Sequence, residues 1–136
     1  MKAIKREVLY GRLFLTQEEL ERKVIELFLS YGDEVSEQLL EQSKELKVKK
    51  RDYTGVGFFT YFDSPKNTKD NNINKTYRDL SIDFVDSKGT MNFALYIQDG
   101  EIDCLEGIAF GDDWWPEDIK KLDRDSFYGG GKSAFL

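Results

Sequence analysis

The sequence predicts an α+β fold: two N-terminal helices packed on one face of a roughly five-stranded, mainly antiparallel sheet, followed by a short C-terminal helix. Apolar residues recur at helical spacing within 17–45 and alternate with polar residues at strand spacing within 77–110. Between two alternating runs, Asp99-Gly100 is a strong signal for a tight hairpin, which joins adjacent antiparallel strands. A chain of 136 residues fits one domain over 1–136.

Two amphipathic segments predict the helices. The first, over 17–31, carries one apolar stripe made of Leu20, Val24, Leu27, Phe28 and Tyr31. Thr16 is placed to cap its N-terminus, and Gly32 suits the left-handed conformation that often ends a helix. A thinner stripe predicts a second helix over about 34–45, with Asp33 as its cap.

Five strands are predicted, at 47–53, 56–62, 77–85, 91–98 and 101–110. The second is dense in aromatic and β-branched residues, which favour half-buried strand positions. Gly55 and Gly57, at the start of the second strand, indicate a bulge, a bend or the close approach of another backbone. In the last strand, Ile102 and Cys104 are expected to share one face. The polar stretch 63–76 is expected to be a long connection.

The C-terminal part is predicted to contain a short helix and a flexible tail. Pro116 suits the first position of a helix over 116–122. The tail, about 126–136, includes three consecutive glycines.

Residue types that are rare or absent exclude several classes of function. The sequence has no histidine and one cysteine, Cys104. Ser-His-Asp and Cys-His catalysis are therefore excluded, and a structural zinc site has too few ligands. A lone cysteine forms no intrachain disulfide and fits a cytoplasmic location. No apolar run approaches the roughly 18 residues that span a bilayer, and no signal peptide is recognised, so no membrane association is expected.

The net charge of −6 is unevenly distributed. Residues 99–136 carry ten acidic and four basic side chains, whereas residues 1–98 are balanced. An acidic field attracts basic proteins and repels nucleic acid, so direct nucleic-acid binding is not expected.

The acidic stretch 99–118 allows three functions to be weighed. Glu101 and Asp103 could act as a pair of catalytic carboxylates, and Asp112 with Asp113 could ligate a cation, but neither a pocket signal nor an EF-hand spacing accompanies them. An interaction surface explains the tryptophans as well, because carboxylates steer a basic partner and aromatic side chains anchor it. We therefore predict no catalytic residue, no metal ion and no cofactor. The predicted contact residues are Asp112, Asp113, Trp114, Glu117 and Asp118, with Glu101 and Asp103 secondary.

Two segments carry a resemblance to a known group of proteins. GVGFFTYF at 55–62 and FALYIQDGEIDCLEGIAFGDDWWP at 93–116 resemble a pattern in small acidic bacterial proteins encoded beside polymorphic or contact-dependent toxins. The resemblance covers roughly residues 55–118. It implies an immunity protein that neutralises a cognate toxin domain, with no catalytic residue to carry over.

The expected function is thus non-enzymatic binding of a basic protein, such as a toxin domain, by an acidic and aromatic patch. Two alternatives stay open. One is a small-molecule-binding or enzymatic domain with a pocket between helices and sheet, lined by Phe58, Tyr61 and Tyr96. The other is a structural subunit of a larger assembly, which would present an exposed apolar face.

Overall fold

The computed structural model describes residues 16–30, 32–64, 72–84, 89–110 and 126–129. Within them the helices are α1 (Gln17–Leu29) and α2 (Glu34–Ser43). The strands are β1 (Lys47–Tyr53), β2 (Gly57–Asp63), β3 (Lys75–Asp83), β4 (Thr90–Gln98), β5 (Glu101–Phe110) and β6 (Tyr128–Gly129). The predicted α+β class is confirmed, and the described part of the sheet has six strands rather than about five.

All strand pairs are antiparallel, and the order across the sheet is β1-β2-β5-β4-β3-β6. The order departs from the chain order because β5 inserts between β2 and β4. β5 is therefore hydrogen-bonded on both sides, whereas β1 lies at one edge of the sheet formed by the described strands.

The local signals at the ends of elements act as predicted. Thr16 Oγ1 accepts a hydrogen bond from the Glu19 N–H at 3.0 Å and caps α1. Asp33 accepts one from the Ser36 N–H at 2.8 Å and caps α2. At the β4–β5 turn, both Asp99 and Gly100 have positive φ, 52° and 78°, as a type I′ turn requires.

The core lies between the two helices and one face of the sheet. Side chains on β4 alternate between buried and partly exposed, and the buried set joins Leu20, Val24 and Phe28 of α1 in one cluster. The rings of Phe28 and Tyr77 pack 6.0 Å apart. The buried side chain of Gln42 in α2 donates to the Gly100 carbonyl at 3.0 Å and accepts from the Ile102 N–H at 2.7 Å.

Of the bulge, bend or close backbone approach predicted for Gly55 and Gly57, Gly57 provides the close approach. A Cβ atom built on Gly57 would stand 1.9 Å from the carbonyl oxygen of Gly107 in β5. Gly57 therefore permits the close approach of a neighbouring backbone. Gly55, with a φ of 86°, occupies the turn before the strand.

The prediction that Ile102 and Cys104 share a face is wrong. Opposite β5, Tyr96 pairs with Cys104 but Ile97 pairs with Ile102, so the register shifts by one residue at Asp103. This irregularity turns Ile102 toward the helices with Ile97, and Cys104 toward the other face with Tyr96.

Residues 126–129, expected in a flexible tail, are instead attached to the sheet. Tyr128 and Gly129 form β6, which pairs with Ser81 and Leu80 of β3. Ser126 Oγ accepts a hydrogen bond from the Asp83 N–H at 2.8 Å. The helix predicted over 116–122 lies outside the described residues.

Candidate functional site

The candidate site is the face of the sheet opposite the helices, called the open face below. Cross-strand partners share a face, so the register assigns its side chains. They are Phe59, Tyr61 and Asp63 from β2, Cys104, Glu106, Ile108 and Phe110 from β5, and Asn92, Ala94 and Tyr96 from β4, with Asp103 at the register shift beside Tyr96. Among the described residues, no helix packs on this face.

An aromatic pair occupies the β2 side of the open face. The rings of Phe59 and Tyr61 stack with centroids 6.3 Å apart and planes inclined by 20°. Lys50 Nζ lies 5.0 Å from the Tyr61 ring centroid and 3.6 Å from an Asp52 carboxylate oxygen. Lys50 thus lies between the ring face of Tyr61 and the carboxylate of Asp52. Such a combination of groups recognises lysine and arginine side chains.

A tyrosine–carboxylate hydrogen bond occupies the β4 side. The hydroxyl of Tyr96 donates to Glu106 Oε1 at 2.8 Å. Burial, followed by this hydrogen bond and the Glu106 charge, raises the pKa of Tyr96 to about 12. The phenol therefore stays protonated at neutral pH, and it fixes the Glu106 carboxylate in position.

Cys104 lies between these two groups, opposite Tyr61 on one side and Tyr96 on the other. Its side chain is buried. Burial, with Asp103, Glu106 and Asp52 as further causes, raises the pKa of the thiol to about 12. Cys104 is thus placed as a small buried hydrophobic residue whose thiol is not activated.

Two of the predicted contact residues lie in the described part of the chain. Asp103 is exposed and, with Tyr96 and Gln98, borders a shallow hollow of about 330 Å³. Glu101 is partly exposed and opposite Gln98. Glu101 and Phe110 are the two ends of β5 and lie about 30 Å apart along the strand. Phe110, the last described residue before 126, is therefore far from the two carboxylates. The other five, Asp112, Asp113, Trp114, Glu117 and Asp118, lie outside the described residues.

The pocket expected between helices and sheet is not lined by Phe58, Tyr61 and Tyr96. Phe58 is fully buried on the helix side, opposite Gly107, whereas Tyr61 and Tyr96 belong to the open face. Phe58 and Tyr61 are three positions apart in one strand, so strand alternation itself puts them on opposite faces and one pocket cannot be lined by both.

A buried charged cluster was not predicted at all. Glu21 of α1, with 2% of its side chain exposed, receives two hydrogen bonds from Arg51 of β1, at 2.7 and 2.9 Å, and one from the hydroxyl of Thr60 in β2. Hydrogen bonding to Glu21 raises the pKa of Arg51. The only sequence signal was the position of Glu21 beside the apolar stripe of α1, which is common for exposed glutamates too.

The described ranges show neither a metal site nor a membrane-crossing helix. No group of three histidine, cysteine or carboxylate side chains there is arranged to hold a metal ion. Neither α1 nor α2 combines the length and the apolar character of a membrane-crossing helix. Comparison with protein-family models, with curated proteins and with solved structures found no match.

Proposed function

We propose that this protein binds a basic protein partner through the open face together with the acidic and aromatic segment 112–118. The observation that carries the proposal is the mixture of aromatic and acidic side chains on one sheet face. Tyr61 and Tyr96 supply broad amphipathic surfaces, and Glu106 and Asp103 supply negative charge beside them. Interface centres are enriched in tyrosine and tryptophan, and charges around them select the partner.

The charges of the face favour a basic partner. Asp63 and Asp103 are exposed, and Glu106 is held in place by Tyr96. An incoming lysine or arginine could be received beside Tyr96 as Lys50 is received at Tyr61. The acidic excess of residues 99–136 would speed association through long-range attraction.

Within this proposal the specific role is that of an immunity protein which neutralises a toxin domain. Toxin domains that cleave nucleic acids need a basic cleft for the phosphate backbone. An acidic face that covers such a cleft would exclude the substrate without any catalysis. The support for this role is the resemblance over residues 55–118 and the charge of the chain.

The test uses immobilised protein and an extract of the native host. The wild type is compared with Asp63→Asn/Asp103→Asn, which removes two exposed charges from the open face. The matched control Glu41→Gln/Glu45→Gln removes two exposed charges at the end of α2. We expect a protein that the wild type and the control retain, that the open-face variant loses, and that salt elutes.

Two results would distinguish protein binding through the open face from the more specific immunity role. Equal retention by the open-face variant and the control would overturn binding through this face. A partner that needs the open face, but whose expression alone does not arrest growth, would overturn the immunity role and leave protein binding intact. Growth arrest that is relieved by co-expression of the wild type, and not of the open-face variant, is the expected outcome.

A further inference from the structure

A cleft on the helix side of the molecule is separate from the open face. It lies between α1, the end of α2 and β1, and its volume is about 780 Å³. Its apolar lining consists of Ile25, Leu40, Leu46, Val48 and Phe62. Both acidic and basic side chains border it, so the border alone does not specify the charge of an occupant.

The cleft runs beside an edge strand that can accept another strand. Among the described strands, β1 pairs with β2 alone. Its seven residues are exposed except for Arg51, which is partly buried. The outward N–H and C=O groups of such a strand form a template for an added strand.

Geometry places side chains of an added strand in the cleft. A strand paired with β1 would lie about 4.8 Å beyond it, and every second side chain would point to the helix side. Val48 and Arg51 mark that side, because they pair with Phe62 and Thr60. The two-point contact of Arg51 with Glu21 holds β1 against α1, so the cleft exists before any occupant arrives.

The charge of β1 indicates the chemistry of the occupant. Lys47, Lys49 and Lys50 outnumber the single carboxylate of the strand, Asp52. Pairing of β1 with β1 of a second copy would bring these lysines together, which like-charge repulsion disfavours. A segment that carries carboxylates would be attracted instead.

We propose that β1 and this cleft form a docking site for an extended segment of another protein, in which apolar side chains alternate with carboxylates. The segment pairs with β1 as a seventh strand, places its apolar side chains against Val48 and Leu40, and presents its carboxylates to the lysines. The cleft that takes the apolar side chains lies on the helix side, and the alternating carboxylates lie on the other side of β1, where Lys50 is located.

The proposal is tested with a phage-displayed library of random twelve-residue peptides, selected on the full chain and then synthesised. We expect selected peptides with alternating apolar and acidic residues. Methylation of alternate backbone nitrogens should abolish their binding, because it removes the hydrogen bonds of an added strand. Selection of no alternating peptide, or unchanged binding after methylation, would overturn the proposal.

Variants of two exposed valines locate the site. Val48, 39% exposed, lines the cleft, and Val56, 49% exposed, does not. Val48→Asp should raise the Kd of a selected peptide at least tenfold, and the matched control Val56→Asp should leave it within twofold. Thermal unfolding of both variants checks that they are folded, and Lys47→Glu/Lys49→Glu provides a second variant should Val48→Asp unfold.

Three outcomes would contradict the proposed occupant. Loss of peptide binding in Asp63→Asn/Asp103→Asn, with Val48→Asp unaffected, would move the site to the open face. A concentration-dependent dimer that Val48→Asp dissociates would make a second copy the occupant. Absence of any peptide or dimer at this edge would mean that the lysines of β1 protect the edge from association and do nothing else.

Discussion

Glu21 and Arg51 form a two-point ion pair that joins the first helix to the edge strand of the sheet, with nitrogen–oxygen distances of 2.7 and 2.9 Å. Thr60 donates a further hydrogen bond to the same carboxylate. The Glu21 carboxylate is almost fully buried, and among the described residues Arg51 neutralises its charge while Thr60 and Gln17, which donates at 3.2 Å, complete its hydrogen bonds.

Arg51→Met should destabilise the protein by about 3 kcal/mol or more, because it leaves a buried carboxylate without its cation. Glu21→Leu/Arg51→Met/Thr60→Val should recover most of this loss, since no charged or hydroxyl group then needs a partner. Urea unfolding of each variant measures the free energy of unfolding. Arg22→Ala, which breaks a pair that is 54% and 60% exposed, is the control and should cost less than about 1 kcal/mol. A triple variant no more stable than Arg51→Met would contradict this account.

Gly57→Ala should destabilise the protein by about 2 kcal/mol or more, because the added Cβ atom would collide with the backbone of Gly107 in β5. The collision is with a carbonyl oxygen of the central strand and not with a flexible side chain, so relief requires the strands to separate. Val56→Ala, at the exposed preceding residue, is the control and should change stability by less than about 0.5 kcal/mol. Denaturant unfolding compares the two, and equal stability would show that β2 and β5 can adjust.

The raised pKa of Cys104 predicts a loss of stability at alkaline pH. In the folded protein the pKa is about 12, against an ordinary value of 9.0, so the unfolded chain releases this proton first. The contribution is fully present below about pH 9 and declines as the pH rises toward 12, by at most about 1.4 kcal/mol per pH unit.

Cys104→Ala should therefore make the free energy of unfolding less dependent on pH between 9 and 11 than in the wild type. Urea unfolding at several pH values measures this dependence. In the folded wild type at pH 8, a thiol reagent should react slowly, and at the ordinary rate once urea unfolds the chain. Rapid reaction in the folded state would mean that the thiol is accessible.

Association with the proposed basic partner should weaken steeply as salt is added, because attraction between exposed charges is screened. The association rate, measured from 50 to 500 mM salt, should fall while the dissociation rate changes little. An association rate that is independent of salt would exclude electrostatic steering.

Trp114→Ala should weaken the complex by more than about 1 kcal/mol and leave the thermal unfolding temperature nearly unchanged. Trp115→Ala is the comparison, because adjacent positions are not expected to point in the same direction. Unfolding of the Trp114 variant would place that side chain in the core and remove it from the contact surface.

The elements were predictable because their signals are local. The stripe of α1, the cap at Thr16 and the turn at Asp99-Gly100 each depend on residues within a few positions of one another. The sixth strand was not predictable, since Tyr128-Gly129 is too short to show any alternation. The bulge at Asp103 was also missed, because it is a mismatch between two strands and leaves no mark within one.

The sequence alone determined the α+β class, the bounds of most elements, the excess of negative charge near the C-terminus and the exclusion of histidine-dependent chemistry. Only the tertiary structure decided that β5 lies between β2 and β4, that Tyr61, Cys104 and Tyr96 share one face, and that Glu21 is buried against Arg51. The physical reason is that periodicity records which side of an element is apolar. Which element packs against each side depends on contacts between residues that are far apart in the chain.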